Sequence, residues 1–440
     1  MLPNTMRNIL ILGAGKSSVA LIDYLVSYSV VEDWQITVAD MTAELALLKT
    51  KNRTNTHSLG VNLANESERQ ALIAKAGIVI SMLPASLHMV VAQDCIALKK
   101  NMVTPSYISD GMRALDQQVK DAGLIFMNEM GLDPGIDHMS ALQIIDELKQ
   151  QGKKITGFES HCGGLVAPES DDNPWHYKFT WNPRNVIVAG QGDGGIHYLK
   201  NGEHVDLNYG QLFESSSKLE VEGYGQFESY PNRDSLKYIT EYALEGIQTM
   251  YRGTLRVPAF CAGWNELVKL ELTDDKVVNE NLSGISFKAF FEEKCSPYLN
   301  DVSFDIRSLL LRTFDDDRII PFASATNAQV LQALLEKQWV MKPDDKDMIV
   351  MIHQITFEEE GVKKQLQSSL VYIGKDAEHT AMATTVGLPV AMVTKMILNG
   401  KVESRGVLMP KYPEIYYPIL EELKEYGVEF KEEIKQIAEL

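Results

Sequence analysis

The sequence predicts an α/β protein: a doubly wound parallel sheet joined to a mixed α+β domain that carries a small helical insertion. Three observations lead there. Strand and helix patterns alternate through the first 130 or so residues. A glycine-rich turn stands at the end of the first strand pattern. After Asp133-Pro134-Gly135 the alternation gives way to strand-like runs separated by glycines. Regular βαβ alternation calls for parallel strands with helices on both faces. Strands without intervening helices call for a mostly antiparallel sheet.

The elements follow in order. Arg7 to Leu12 is a short apolar strand that ends at glycine. Ser17 to Tyr28 spaces Val19, Ala20, Ile22, Leu25 and Val26 as a helix does. Trp34 to Asp40 is rich in β-branched residues and reads as the second strand. A helix (Ala43 to Lys49), a short strand near Val61 and a polar helix (Glu66 to Lys75) come next. Ile78 to Leu83 is continuously apolar, as a strand buried on both faces must be. Leu87 to Leu98 and Gly111 to Asp121 read as helices, Met102 to Thr104 and Leu124 to Met127 as strands. Beyond them a helix is expected over Ile136 to Gln150, then strands over Ile155 to Ser160, Asn185 to Ala189, Gly195 to Leu199 and Lys218 to Glu222. Leu282 to Tyr298 and Ala328 to Trp339 are helical within the insertion. Asp347 to Phe357 and Lys363 to Gly374 form a hairpin around Glu358-Glu359-Glu360-Gly361, and Ala381 to Asn399 is a helix stopped at Gly400. Domain boundaries are expected at 1–133 with 384–440, at 134–259 with 346–383, and at 260–345 for the insertion.

Composition removes several function classes. A net charge of -18 repels a phosphate backbone and an anionic membrane alike, so neither nucleic acid nor membrane is an expected partner. The apolar stretch Ala76 to Leu98 contains Pro84, His88, Gln93 and Asp94, which a membrane span would not carry. The N-terminus shows no signal-peptide pattern. Cys95, Cys162, Cys261 and Cys295 lie far apart without CxxC spacing, which points to a reducing, cytoplasmic compartment and to no metal site.

Gly13-Ala14-Gly15-Lys16-Ser17-Ser18 sits where a strand turns into a helix, the context in which such a glycine turn binds a dinucleotide. Gly13 permits the tight turn. Gly15 lets the backbone approach a pyrophosphate, and Lys16 and Ser17 open the helix whose N-terminus faces it. Ser18 stands where the pattern has Gly or Ala, so closer packing of helix and strand is lost there. Asp40 ends the second strand, where a carboxylate would bond ribose hydroxyls and repel a 2′-phosphate. The first domain is therefore a Rossmann-type, dinucleotide-binding one. NAD is the expected cofactor, with NADP as the alternative. Ser81 and Leu83, past the carboxyl end of the fourth strand, would line the nicotinamide side.

Several loops carry a more specific signature. They include Thr104-Pro105-Ser106-Tyr107-Ile108-Ser109, the run Asn128 to His138, Cys162-Gly163-Gly164-Leu165-Val166-Ala167-Pro168, Tyr230-Pro231-Asn232-Arg233-Asp234 and Tyr251-Arg252-Gly253-Thr254-Leu255-Arg256. In order and wording they resemble the L-glutamate-forming saccharopine dehydrogenases, and the resemblance runs over nearly the whole chain. It departs at three places. Asp40 stands where fungal members carry Arg, His161 replaces a Tyr, and Trp175-His176 replaces a smaller pair.

The resemblance implies NAD(P)-dependent cleavage of saccharopine to L-glutamate and 2-aminoadipate 6-semialdehyde, without a metal. It carries acid–base roles onto Tyr107, Asp133 and Cys162, and cofactor contacts onto Leu132 and Asp133 besides those already named. Saccharopine contacts fall on Ser106, Tyr107, Asp133, Arg233, Arg252 and Thr254. Arg233 is the leading carboxylate clamp, since a guanidinium matches a carboxylate through two parallel bonds. Each has a plainer reading: Asp133 could cap the helix after Pro134, Cys162 could be a core thiol, Arg233 could pair with Asp234, and His138 could be a satisfied helix histidine. The resemblance also implies a homodimer using the mixed sheet. The competing functions are a carboxynorspermidine-dehydrogenase-like enzyme acting on another amino-acid conjugate, and a non-catalytic NAD-binding regulator.

Overall fold

A computed structural model of the chain describes residues 7–191 and 195–437. The N-terminal residues 1–6, read above for a leader, and the last three of the expected 384–440 segment lie outside the described residues. The rest fall into two compact units. One runs through Gly152 and resumes at Glu378–Phe430; the other comprises Lys153–Ala377 and the strand Lys431–Gln436.

The first unit is built on a seven-stranded parallel sheet. Its strands are β1 (Asn8–Leu12), β2 (Gln35–Asp40), β3 (Thr56–Gly60), β4 (Ile78–Ser81), β5 (Asn101–Val103), β6 (Ile125–Met127) and, from far along the chain, Gly406–Leu408. The last of these was not anticipated from sequence. The order runs Gly406–Leu408, β6, β5, β4, β1, β2, β3. The chain thus leaves β1 in one direction for β2 and β3, then returns to the other side of β1 for β4. That reversal makes the carboxyl ends of β1 and β4 the place where ligands bind in such sheets. Ile9, Ile11, Leu12, Ile78, Val79 and Ile80 are at most fractionally exposed, because helices cover both faces.

The helix Ile136–Gln150, expected in the second domain, stays with the first unit, and so does the whole of Ala381–Leu398, of which only the first three residues were expected in the second. Ile136–Gln150 is held there by Pro413–Lys424, with Tyr416 donating its hydroxyl to Asp146. Ala381–Leu398 packs against Val19–Ser29. Gly387 makes that packing close: a Cβ there would lie 2.7 Å from the Leu21 nitrogen and 3.3 Å from the Ser17 oxygen. Ala381–Leu398 is long and apolar enough to cross a membrane, yet 78% of it is buried inside the fold, as in a core helix.

The second unit holds a nine-stranded mixed sheet. Its strands are β7 (Lys154–Val166), β8 (Ile196–Lys200), β9 (Glu203–Leu207), β10 (Ser217–Val221), β11 (Gly225–Pro231), β12 (Thr249–Arg256), then, after the short pair β13 (Val278–Asn279) and β14 (Ala325–Thr326), β15 (Asp347–Glu359) and β16 (Val362–Ile373). Lys431–Gln436 completes it along β16, so the C-terminal segment does not stay wholly with the first unit. β7 and β12 run parallel, and their neighbours antiparallel. The expected strand over Asn185 to Ala189 is instead a short helix, Pro183–Ile187. Pro183 occupies its first position and Asn182 caps it, its side-chain oxygen accepting from the Arg184 nitrogen at 3.0 Å. These end signals outweigh the β-branched run Val186-Ile187-Val188.

Helices of the insertion surround an aromatic core. Trp175, Phe260, Trp264 and Trp339 are buried together, with Phe260 and Trp264 stacked at 5.0 Å and Trp175 donating to the Thr313 hydroxyl at 2.7 Å. Gly263 admits the Trp175 ring, which would lie 2.7 Å from a Cβ at that position. The larger residue at 175, a departure from the family pattern, is thus a packing feature.

The Gly387 contact is testable. Gly387→Val should lower stability by about 1–3 kcal/mol, because the Leu21 backbone cannot yield as a side chain would. A urea unfolding midpoint equal to the wild type's would show that the two helices are not so closely packed.

Candidate active site

The glycine turn is shaped by its neighbours. Gly13 adopts a φ of 101°, which favours glycine, and its nitrogen donates to the Ala39 oxygen at 2.8 Å. A Cβ on Gly13 would meet the Met82 oxygen at 2.8 Å. By contrast, a Cβ on Gly15 would meet nothing within 4 Å. The backbone at Gly15 therefore faces open space, as a cradle for a pyrophosphate requires. Ser18 is buried and turns its hydroxyl to the Gly15 oxygen at 2.8 Å. It therefore closes the turn, while the tight helix packing comes from Gly387.

Asp40 lies beside this turn. Its carboxylate accepts from the Ala14 nitrogen at 2.6 Å and from the Met41 nitrogen at 2.7 Å. Both bonds favour a negative charge held at the rim of the cradle. Gly13, Gly15, Ser17, Ser18 and Asp40 are thus gathered at one end of the sheet, with Lys16 exposed beside them. These residues fit a dinucleotide.

The ends of β4 and β5 are joined by a side chain that sequence reasoning did not single out. His88, in the first turn of the helix Ala85–Ala97, has Nδ1 2.8 Å from the Ser81 hydroxyl and Nε2 2.7 Å from the Ser106 hydroxyl. It is buried, and burial pushes its pKa down to about 4. The available signal was a histidine seven residues beyond Ser81, just inside a helix that opens after Pro84. Leu83 is partly buried against the apolar core under this helix.

Beyond β6 a second network was also missed. Glu129, at φ 56°, accepts from the Ile108 nitrogen at 2.9 Å and meets His138 Nε2 at 2.8 Å. His138 is buried and is indeed a satisfied helix residue. Together these bonds tie the loop at 106–108 to the loop at 129–135. There Tyr107 donates its hydroxyl to Asp133 Oδ1 at 2.9 Å. Asp133 does not cap the helix Ile136–Gln150: Gly135 stands at the cap position, and Asp137 Oδ1 accepts from its nitrogen at 2.6 Å. Leu132 is buried in the same turn, its oxygen accepting from the Asp137 nitrogen at 3.0 Å.

In the second unit register decides the grouping. Residues paired across adjacent strands share a face. Tyr230, Thr254, Cys162 and Met351 form one such row, and Arg252, Ser160 and His353 the next. Cys162, Thr254 and Arg252 therefore share a face. Thr254 donates to the Asn232 side chain at 2.7 Å, and the Arg252 guanidinium lies 4.2 Å over the Tyr238 ring. Arg252 is buried, whereas the Arg233 side chain is exposed. Among the described residues Arg233 forms no ion pair with Asp234, whose Oδ1 accepts from the Leu236 nitrogen at 2.9 Å. His161 points to the opposite face from Cys162 and bonds the Ser229 hydroxyl at 2.8 Å. Its replacement of the family's Tyr therefore bears on that other face. Among the described residues no cluster of three or more His, Cys, Asp or Glu could hold a metal ion.

Comparison with known proteins bears on this arrangement. Residues 9–127 match the model described as "Saccharopine dehydrogenase NADP binding domain", and residues 131–428 match "Saccharopine dehydrogenase C-terminal domain". The chain belongs to the saccharopine dehydrogenase family. Within it, the chain is 33% identical to the Saccharomyces cerevisiae saccharopine dehydrogenase (NADP(+), L-glutamate-forming), over 97% of this chain and 99% of that one. It is 36% identical to the mitochondrial alpha-aminoadipic semialdehyde synthase of Rattus norvegicus, over 97% of this chain. The chain spans about half the length of that relative, 48%. The solved apo structure of the yeast saccharopine dehydrogenase superposes with a TM-score of 0.87 at 32% identity, covering 98% of this chain and 100% of that one. The fold of the family is thus shared throughout.

His161 allows a test by pH. Burial, with a smaller contribution from His353, pushes its pKa down to about 3. An exposed histidine titrates near about 6.5. The neutral ring therefore stabilises fully above about pH 6.5, and that contribution is lost as pH falls through about 3. Below about pH 6.5 the loss approaches ~1.4 kcal/mol per pH unit. His161→Phe should make the acid limb shallower between about pH 6 and about pH 4 in urea unfolding. A limb parallel to the wild type's would mean that the folded ring is already charged.

Proposed function

We propose that this chain oxidises saccharopine with a nicotinamide dinucleotide and hydrolyses the product to L-glutamate and 2-aminoadipate 6-semialdehyde. The observation that carries the reading is the match to the yeast enzyme along almost the whole of both chains. The glycine cradle and the face bearing Cys162, Thr254 and Arg252 supply chemistry of the kind it needs.

Saccharopine is a secondary amine with three carboxylates. The dinucleotide, when bound, accepts a hydride from the lysine-side carbon next to the amine nitrogen. The chain's own task is to hold the amine neutral, to neutralise the carboxylates and to move protons. Arg233 and Arg252 take carboxylates, and Thr254 and Ser106 add hydroxyl bonds. Asp133, whose carboxylate is polarised by the Tyr107 hydroxyl, accepts a proton from the amine or from water, and Cys162 is a further proton carrier. The carbon–nitrogen double bond left by hydride loss takes up water at carbon. The carbon–nitrogen bond then breaks, the nitrogen gains a proton, and glutamate departs. Saccharopine, water and the oxidised dinucleotide thus give two amino acids, the reduced dinucleotide and one proton. A polyamine substrate would place cations beside Arg252, which disfavours the carboxynorspermidine reading.

The cofactor choice rests on opposing indications. The relatives' names favour NADP, whereas the Asp40 carboxylate repels a 2′-phosphate and favours NAD. We further assign the chain to the cytoplasm as a homodimer. The four free, buried cysteines support the reducing compartment, and the family resemblance supports the dimer.

The decisive experiment follows reduced dinucleotide formation at neutral pH with saccharopine, with each cofactor, and with other opines as controls. Turnover of another opine in preference to saccharopine, or nucleotide binding without turnover, would overturn the proposal. Arg233→Ala should raise the KM for saccharopine roughly 30-fold or more, since losing a charged clamp costs about 2–5 kcal/mol. A change below about threefold would remove Arg233 from the site. Asp40→Arg should raise the ratio of kcat/KM for NADP to that for NAD by about tenfold or more. An unchanged ratio would show that Asp40 does not face the ribose.

A further inference from the structure

His88 connects two serines at the ends of adjacent strands, and hydrogen-bond arithmetic limits what it can be doing. Ser81 ends β4 and is fully buried, and Ser106 follows β5 and is partly exposed. Both ring nitrogens of His88 lie within hydrogen-bond distance of a hydroxyl, at 2.8 Å and 2.7 Å. A neutral imidazole carries one N–H and one lone pair. One serine must therefore donate to the ring and the other accept from it. Burial keeps the ring neutral at physiological pH, which excludes the doubly protonated form.

The choice between the two tautomers depends on Ser106. A carboxylate can only accept. If Ser106 serves a substrate carboxylate, its hydroxyl proton must point at the substrate, and its lone pair must take a proton from His88 Nε2. Nδ1 then carries the lone pair and accepts from the Ser81 hydroxyl. The opposite tautomer would turn the Ser106 proton into the ring and present only lone pairs to an anion.

We infer that His88 is a positioning residue which, protonated at Nε2, aims the Ser106 hydroxyl proton at a carboxylate of the substrate. The inference rests on the proposed reading of Ser106 as a substrate contact. It extends that reading to a buried residue whose ring lies between the two serine hydroxyls. Ser81 is the fixed end of the relay, since its place at the end of a central strand holds the ring in register.

The test combines spectroscopy with kinetics on the full chain. Selective nitrogen-15 labelling of histidine, with the His88 signals assigned from their loss in His88→Gln, reads the tautomer directly. Protonation at Nε2 is expected, and protonation at Nδ1 would overturn the inference even if the enzyme turns over saccharopine. In kinetics, His88→Met should raise the KM for saccharopine about tenfold or more, with the KM for the dinucleotide changed by less than about twofold. His88→Gln, whose amide can donate toward Ser106, should recover most of that loss. In Ser106→Ala the further change His88→Met should add less than about twofold, because the residue through which it acts is already gone. Additive effects, or equal losses for substrate and dinucleotide, would mean that His88 only supports the loops. If His88→Met does not fold, the wild-type tautomer and His88→Gln still decide. A wild-type protein with the Nε2-protonated ring but no saccharopine turnover would refute the proposed function and leave the relay standing.

Discussion

The first unit depends on how closely the loop after β1 approaches the end of β4. Gly13 has no side chain, and the Met82 carbonyl occupies the space where one would be. Any other residue would force the two strand ends apart, and its backbone conformation would be strained as well. This contact lies where the strand order reverses, so it sets the width of the opening at the carboxyl ends of β1 and β4. Asp40 and the Ala14 nitrogen then fix the rim, and Gly15 leaves the floor open.

The loops beyond β5 and β6 have little regular structure, yet they are held by buried and partly buried polar bonds. His88 pins Ser106 to Ser81, and Glu129 pins Ile108 and His138. Buried polar groups of this kind are stabilising only when each has its partner. A loop fixed in this way can hold Tyr107 and Asp133 at 2.9 Å although Tyr107 itself is largely exposed.

In the second unit the same end is reached through strand pairing. The parallel pair β7 and β12 puts Cys162 beside Thr254, and a slip of one residue would send all of these side chains to the opposite face. Gly163 allows the approach, for a Cβ there would lie 2.7 Å from the Leu255 carbonyl. The opposite face is where His161 bonds Ser229, so the side chains of residues 161 and 162 are separated by the sheet itself.

Much of this was legible in the residues alone, because it depends on neighbours in the chain. The βαβ alternation, the glycine turn, Asp40 at a strand end and the hairpin around Gly361 are local patterns, and their physics is local. What the chain could not declare locally was which distant segments meet. Gly406–Leu408 joins the first sheet and Lys431–Gln436 the second through backbone pairing, and a charged run such as Lys-Glu-Glu-Ile-Lys-Gln carries no apolar pattern to announce an edge strand. Pro183–Ile187 is a helix because its cap and proline outweigh side chains that favour strands. The His88 relay depends on β4 and β5 lying side by side, and the row through Thr254 and Cys162 depends on register. Sequence determined the chemistry on offer, and tertiary structure decided which groups share it, because hydrogen bonds and sheet faces are set by distance in space and not by separation along the chain.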